Sequence, residues 1–206
     1  MITLEAPTEG QERQLPPADN LPARCVQIID LGTQESEWEG VKSSKRKLRL
    51  TWELPTVEFT GQEGDTYHPV VSREYTASLH EKSILRPMLE AWRGRPFSSD
   101  ELENFEITKL LDATCLIQVT HKEKKTGGQY AAIANISKLP KGMECPDRVR
   151  PLVEYSASEG GTETYQELPP WLQEKIFAAP EFHEAKKNGA PQSTNKDHRH
   201  AGVAPF

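Results

Sequence analysis

The chain has 206 residues, with 25 Lys and Arg against 31 Asp and Glu, a net charge of −6 and a hydrophobic fraction of 35%. A mean hydropathy of −0.68 leaves room for one core plus tails that cannot bury enough apolar surface to order. No run of about 18 apolar residues exists, and Met1 to Gln14 carry acids where a secretory leader has lysines and an apolar block, so a soluble, cytoplasmic protein is expected.

Residues 1–20 contain Pro7, Pro16 and Pro17 without periodicity and read as an irregular arm. Ala23–Leu31, closed by Gly32, reads as a buried strand, and the polar stretch Thr33–Ser44 as a long connection. Lys45–Leu54 alternates. Leu48, Leu50, Trp52 and Leu54 fall on one face and Lys47, Arg49, Thr51 and Glu53 on the other, which predicts a half-buried strand with a basic outer face. Beyond Pro55 and a loop through Gly61 and Gly64, Val70–Leu79 forms a third strand, paired with the second as a hairpin.

Ile84, Leu85, Met88, Leu89 and Trp92 sit at helical spacing, with Ser83 as N-cap, Gly94 as stop and Pro87 tolerable in the first turn. Ser98 and Glu101 make the capping box of a second short helix. Thr114–His121 and Gln129–Leu139 are strand-like, joined by a Lys- and Gly-rich turn over Lys122–Gly128. Residues 143–180 read as an acidic linker with one short helix over Pro169–Ala179, in which Trp171, Leu172 and Ile176 dock, and 181–206 as a disordered tail. Cys25, Cys115 and Cys145 fit neither a disulfide framework nor a zinc pattern, and no metal or cofactor is expected.

The order strand, long loop, strand, strand, helix, strand, strand over 21–142 is that of a mainly β, five-stranded Greek-key barrel of the OB type. In that fold the second and third strands and two flanking loops bind oligonucleotides. An α+β sheet of another topology is the alternative.

Four segments carry a resemblance: Ala23–Gly32, Ser72–Leu79, Leu89–Phe97 and Ile136–Gly142. Through them Pro22–Gly142 resembles a family of phage and prophage single-stranded-DNA-binding and replication-module proteins. The resemblance implies an OB fold and a place in phage DNA replication or recombination, in the cytoplasm of a bacterial host. It names no catalytic residue.

Gripping an unpaired strand takes cations to replace counterions along the phosphates and π-faces on which bases stack. Lys42, Lys45, Arg46, Lys47 and Arg49 supply a basic run with no acid between Val41 and Thr51, and Trp38 stands just before it. Tyr67, His68, Arg73 and Tyr75 lie across the expected hairpin, with Tyr75 equally suited to the core. Lys122, Lys124 and Lys125, flanked by His121 and Tyr130, project from the other hairpin, and the two clusters are expected to flank one groove. Lysines alternating on a strand also suit a plain solvated edge.

No phosphate-binding glycine loop, Gly-x-Ser-x-Gly or His-Glu-x-x-His is present, so no enzyme is expected. The last residues, Pro205 and Phe206, are similar to the Pro-Phe tip with which bacterial single-stranded-DNA-binding proteins dock replication partners. Here Lys196, Asp197, His198, Arg199 and His200 precede them in place of a run of aspartates. A protein-interaction module that recruits a replication or host factor is the alternative function, and self-association is left open.

Overall fold

The computed structural model describes residues 14–61 and 64–187, apart from the side chains of Trp38 and Lys186. In chain order the strands are β1 (Asn20–Trp38), β2 (Val41–Glu53), β3 (Phe59–Thr60), β4 (Thr66–Tyr67), β5 (Val70–Thr76), β6 (Thr114–Glu123), β7 (Gln129–Ser137) and β8 (Val153–Ser156). The helices are α1 (Leu85–Arg93), α2 (Ser99–Glu103), α3 (Glu163–Glu167), α4 (Pro170–Phe177) and α5 (Pro180–Lys187).

The main sheet is mainly antiparallel and runs β5-β2-β1-β6-β7, with β3 and β4 forming a separate small hairpin. Strand β1 holds it together. One edge pairs with β2 from Arg24 to Trp38; the other is shared, first with β6 over Asn20–Arg24 and then with β8, in parallel, over Gln27–Asp30. Register shifts in the β1–β2 ladder between Cys25 and Gln27, and between Asp30 and Thr33, allow β1 to bend from one partner to the next.

The period-two pattern of β2 is realised: Leu48, Leu50, Trp52 and Leu54 are buried in the main core with Cys25, Ile28, Val71, Tyr75, Leu89, Trp92, Cys115 and Ile117. Helix α1 closes this core, its Trp92 ring lying 5.7 Å from that of Trp52 and its Nε1 donating to the Thr114 carbonyl. Gly94 ends α1 in the left-handed conformation, and Ser98 and Glu101 form the expected reciprocal cap of α2. The helix before β6 and the two hairpins therefore stand where their residues predict.

Three expectations are corrected. The sheet is open: no ladder joins β5 to β7, and their approach is marked by Arg73 Nη1 donating to the Ile133 carbonyl at 3.3 Å. Residues Thr33–Ser44 are not a loop, because β1 and β2 continue as a paired ribbon to a two-residue turn at Glu39 and Gly40, where φ is 50° and 77°. The polar composition that suggested a loop belongs to strands with solvent on both faces.

The third correction is the largest. The helix expected over Pro169–Ala179 is present as α4, with Leu172 and Ile176 docked, but the rest of 151–187, read as linker and tail, is also ordered: β8 and α3–α5 together build a second core on the outer face of β1. Ile29 and Leu31 meet Tyr155, Ala157, Leu168, Leu172, Ile176, Ala179 and Phe182 there, all buried. The largely apolar run Val26–Leu31, interrupted only by Gln27 and Asp30, reflects this coverage of both faces. Gly32 lies at the seam with φ +68°; a Cβ there would stand 2.5 Å from the Ala179 Cβ and 3.0 Å from the Ala157 Cβ. Asp30 ties the layers together, accepting from Arg46, from Ser156 Oγ at 2.9 Å and from the Gly32 amide at 3.0 Å.

The connection to β8 is pinned as well. Arg24 donates to the Cys145 and Pro146 carbonyls and to Asp112, and Glu53, fully buried, accepts from the Val149 and Arg150 amides. Two residues expected on an open basic face, Thr51 and Glu53, are thus covered.

If the second core is integral, Ile176→Ala should cost about 2–5 kcal/mol, as for any large-to-small change in a packed interior, and denaturant unfolding should remain a single transition. An unchanged stability, or a separate second transition, would mean that the layer is not integral. A second expectation concerns acid. Glu101 binds Arg95, the Ser98 amide and Arg93, and these hold its carboxyl down to about 2. Because the folded value is depressed, the contribution is present above the ordinary carboxylate value and lost as pH falls toward 2. Glu101→Gln should flatten the acid limb of a thermal-melting profile between those values.

Candidate nucleic-acid interface

Because β2 carries no bulge of its own, its side chains alternate without a break, and this divides the basic run in two. Lys45, Lys47 and Arg49 share the outer face, spaced about 7 Å apart along the strand. Lys42 and Arg46 have the opposite parity; Arg46 is engaged by Asp30, and Lys42 pairs in register with Glu37. Lys47 Nζ donates to Thr76 Oγ1 at 3.0 Å and meets no carboxylate, and Lys45 has no ion-pair partner among the described residues.

The row ends at α4. Leu172, Ile176 and Ala179 turn one stripe of the helical segment into the second core, which leaves Trp171 and Lys175, four residues apart, facing β2 and β5. Arg49 and Glu74 are cross-strand partners, and each receives one of these side chains. The Arg49 guanidinium lies over the Trp171 ring at 4.8 Å, and Lys175 Nζ binds the Glu74 carboxylate at 2.7 Å. Glu74 is answered by Lys175, and Arg49 makes no ion pair of its own among the described residues; burial lowers its pKa, against a smaller upward pull from Glu74. Trp171 remains 50% exposed despite this contact.

The other hairpin is a separate group. His121 to Tyr130 are all exposed, Lys122 pairs with Tyr130, and Lys124 and Lys125 lie in the turn closed by the Lys124 amide and the Gly128 carbonyl. His121 Nε2 lies 2.8 Å from the Pro16 carbonyl. Along the ladder the basic row of β2 lies beside the second half of β1, Lys45 level with Gln34 and Arg49 with Ile29, whereas the β6–β7 tip extends beyond Asn20 at its start. No hydrogen bond or ion pair among the described residues joins the two groups.

The aromatic candidates also part company. Tyr75, offered as a platform, is only 3% exposed: its ring belongs to the main core, beneath Arg73, whose guanidinium lies 5.3 Å from it. Burial pushes its hydroxyl up to about 12. Tyr67 is exposed, edge-on to Phe59 in the β3–β4 hairpin, and His68 is engaged by the Val57 carbonyl. The Trp38 side chain, Pro205 and Phe206 lie outside the described residues. Trp171 is the residue the sequence reading put to another use, as a docking side chain. The spacing of Leu172, Ile176 and Ala179 was the signal that it lies off the buried stripe.

Neither a comparison with protein-family models nor a search of curated proteins returns a match. Among the described residues no helix is long and apolar enough to cross a membrane.

The geometry makes a stability contrast. Tyr75→Ala, which empties core volume, should cost about 3–5 kcal/mol, whereas Trp171→Ala should cost about 1 kcal/mol or less, the scale of one surface cation–π contact. Urea unfolding of the two variants measures both, and equal losses would mean that Trp171 is a core residue.

Proposed function

We propose that this chain is a non-catalytic, sequence-independent single-stranded-DNA-binding protein of phage replication or recombination, built on an OB-like sheet. The observation that carries the reading is the outer row Lys45, Lys47, Arg49 ending on the half-exposed Trp171. Support for the fold comes from the strand order β5-β2-β1-β6-β7 with α1 inserted before β6. An OB barrel has this order, and it binds oligonucleotides on the face formed here by β2 and β5.

Phosphates track the three cations and release their counterions, while an unpaired base lies on the free part of the Trp171 ring. Every base offers a π-face, so the site does not discriminate sequence. Lys122, Lys124, Lys125 and Tyr130 provide a second contact for a longer strand passing the β6–β7 tip. Replication or recombination proteins are recruited through Pro205 and Phe206.

A second reading, a protein-interaction module, draws on the coverage of β2 beyond Arg49: Thr51 and Glu53 are buried, so the open part of the strand is short. Labelled oligo-dT titrated against duplex of equal length separates the two readings.

Fluorescence anisotropy of oligo-dT across a salt series tests the roles. Replacing Lys45, Lys47 and Arg49 together by Gln should weaken binding and reduce the logarithmic salt slope by about 2, from about 0.7 per phosphate contact. Trp171→Ala should weaken binding by about 1–3 kcal/mol per stacked base and leave the slope in place. Unchanged affinity in both would remove the proposal.

A further inference from the structure

Apart from Lys45 on its outer face, the β1–β2 ribbon beyond the sheet body has no part in the proposed site. Strand β5 ends at Thr76, opposite Lys47, and β8 ends at Ser156, opposite Asp30. From Thr33 paired with Arg46 to Trp38 paired with Val41, the two strands run on with no third strand among the described residues. Helix α5 touches only the root, where the Thr33 amide donates to Glu181 at 2.9 Å. Val41 at the tip is 70% exposed. A two-stranded ribbon alone in water is marginal, and beyond the root, where the Thr33 amide is held by Glu181 and the Arg46 carbonyl by the Ala77 amide, neither edge meets another strand among the described residues.

Soluble proteins commonly keep such edges apart with like charge, so that copies repel. Here the two edges carry opposite charge. On one face the β1 edge bears Glu35 and Glu37, and the β2 edge bears Lys42 with Arg46 at its root. Glu35, Glu37 and Lys42 take part in no ion pair among the described residues. Two-fold pairing of β1 with β1, or of β2 with β2, sets like charges against each other. Laying the β2 edge of a second copy along the β1 edge of the first does the reverse. In the register the ribbon already uses, Glu37 meets Lys42 of that copy and Glu35 lies diagonally beside it, in continuous antiparallel pairing.

We infer that the ribbon is a self-association surface: the acidic β1 edge of one molecule receives the basic β2 edge of the next, head to tail. Because this contact uses two different edges, each addition leaves one of each free, and the product is an open chain rather than a closed dimer. The inference does not rest on nucleic-acid binding and is measured without it.

Sedimentation equilibrium of the full chain over a concentration series is the test. The weight-average mass should climb continuously, with no plateau at the dimer, and should drop at high salt. Glu35→Lys with Glu37→Lys makes both edges basic, and Lys42→Glu with Ser44→Glu makes both acidic. Each variant alone should sediment as monomer, with circular dichroism and melting temperature confirming the fold, and an equimolar mixture should regain the association. A wild-type chain that stays monomeric, a plateau at the dimer, or reversal variants that associate like wild type would each overturn the inference.

Discussion

The organisation of this protein depends on β1 having more partners than a single edge or face can serve. Its 19 residues give one edge to β2, divide the other between β6 and β8, and place one face in each of two cores. A straight strand cannot do this. The register shifts turn it from β6 toward β8, and at the second of them Asp30 stands with its carboxylate answered by Arg46, Ser156 and Gly32. A carboxylate so nearly buried is tolerable because each contact is a hydrogen bond to a fixed donor. The same contacts bring the second layer against the first.

That second layer decides what the sheet can offer. The half of β2 around Thr51 and Glu53 is closed, Glu53 by the amides of Val149 and Arg150 on the way into that layer, and the half around Lys45, Lys47 and Arg49 stays open. Helix α4 marks the boundary, with Trp171 and Lys175 seated on a cross-strand Arg49–Glu74 pair. The candidate site is therefore made jointly by a strand near the N-terminus and a helix near the end of the described chain.

Much of the first core was legible because its signals are local: the alternation Leu48 to Leu54, the cap at Ser98 and the Gly94 stop depend on neighbours in sequence. The second layer was not, since its strand is four residues long and its apolar residues are sparse between acids. Composition there resembles a linker; the helix over Pro169–Ala179 with its docking Leu172 and Ile176 was legible, but the surface that receives it, Ile29 and Leu31 with β8, was not. The basic run was found, but its division between faces depends on where bulges fall, and those follow from tertiary pairing. Likewise Tyr75 has the parity of the core, and packing alone decided that its ring is not displayed.

The parallel pairing of β8 with β1 has a consequence for how the chain is made. Asp30 and Ser156, bonded to each other, are separated by 126 positions in sequence, so β1 leaves the ribosome long before its second neighbour is synthesised. During that interval Ile29 and Leu31 face solvent, and the strand segment later claimed by β8 has an unfilled edge. Long-range contacts of this kind form slowly and expose adhesive surface meanwhile. The second layer therefore closes late in synthesis, and the nascent molecule first passes through a stage in which that adhesive surface needs shielding.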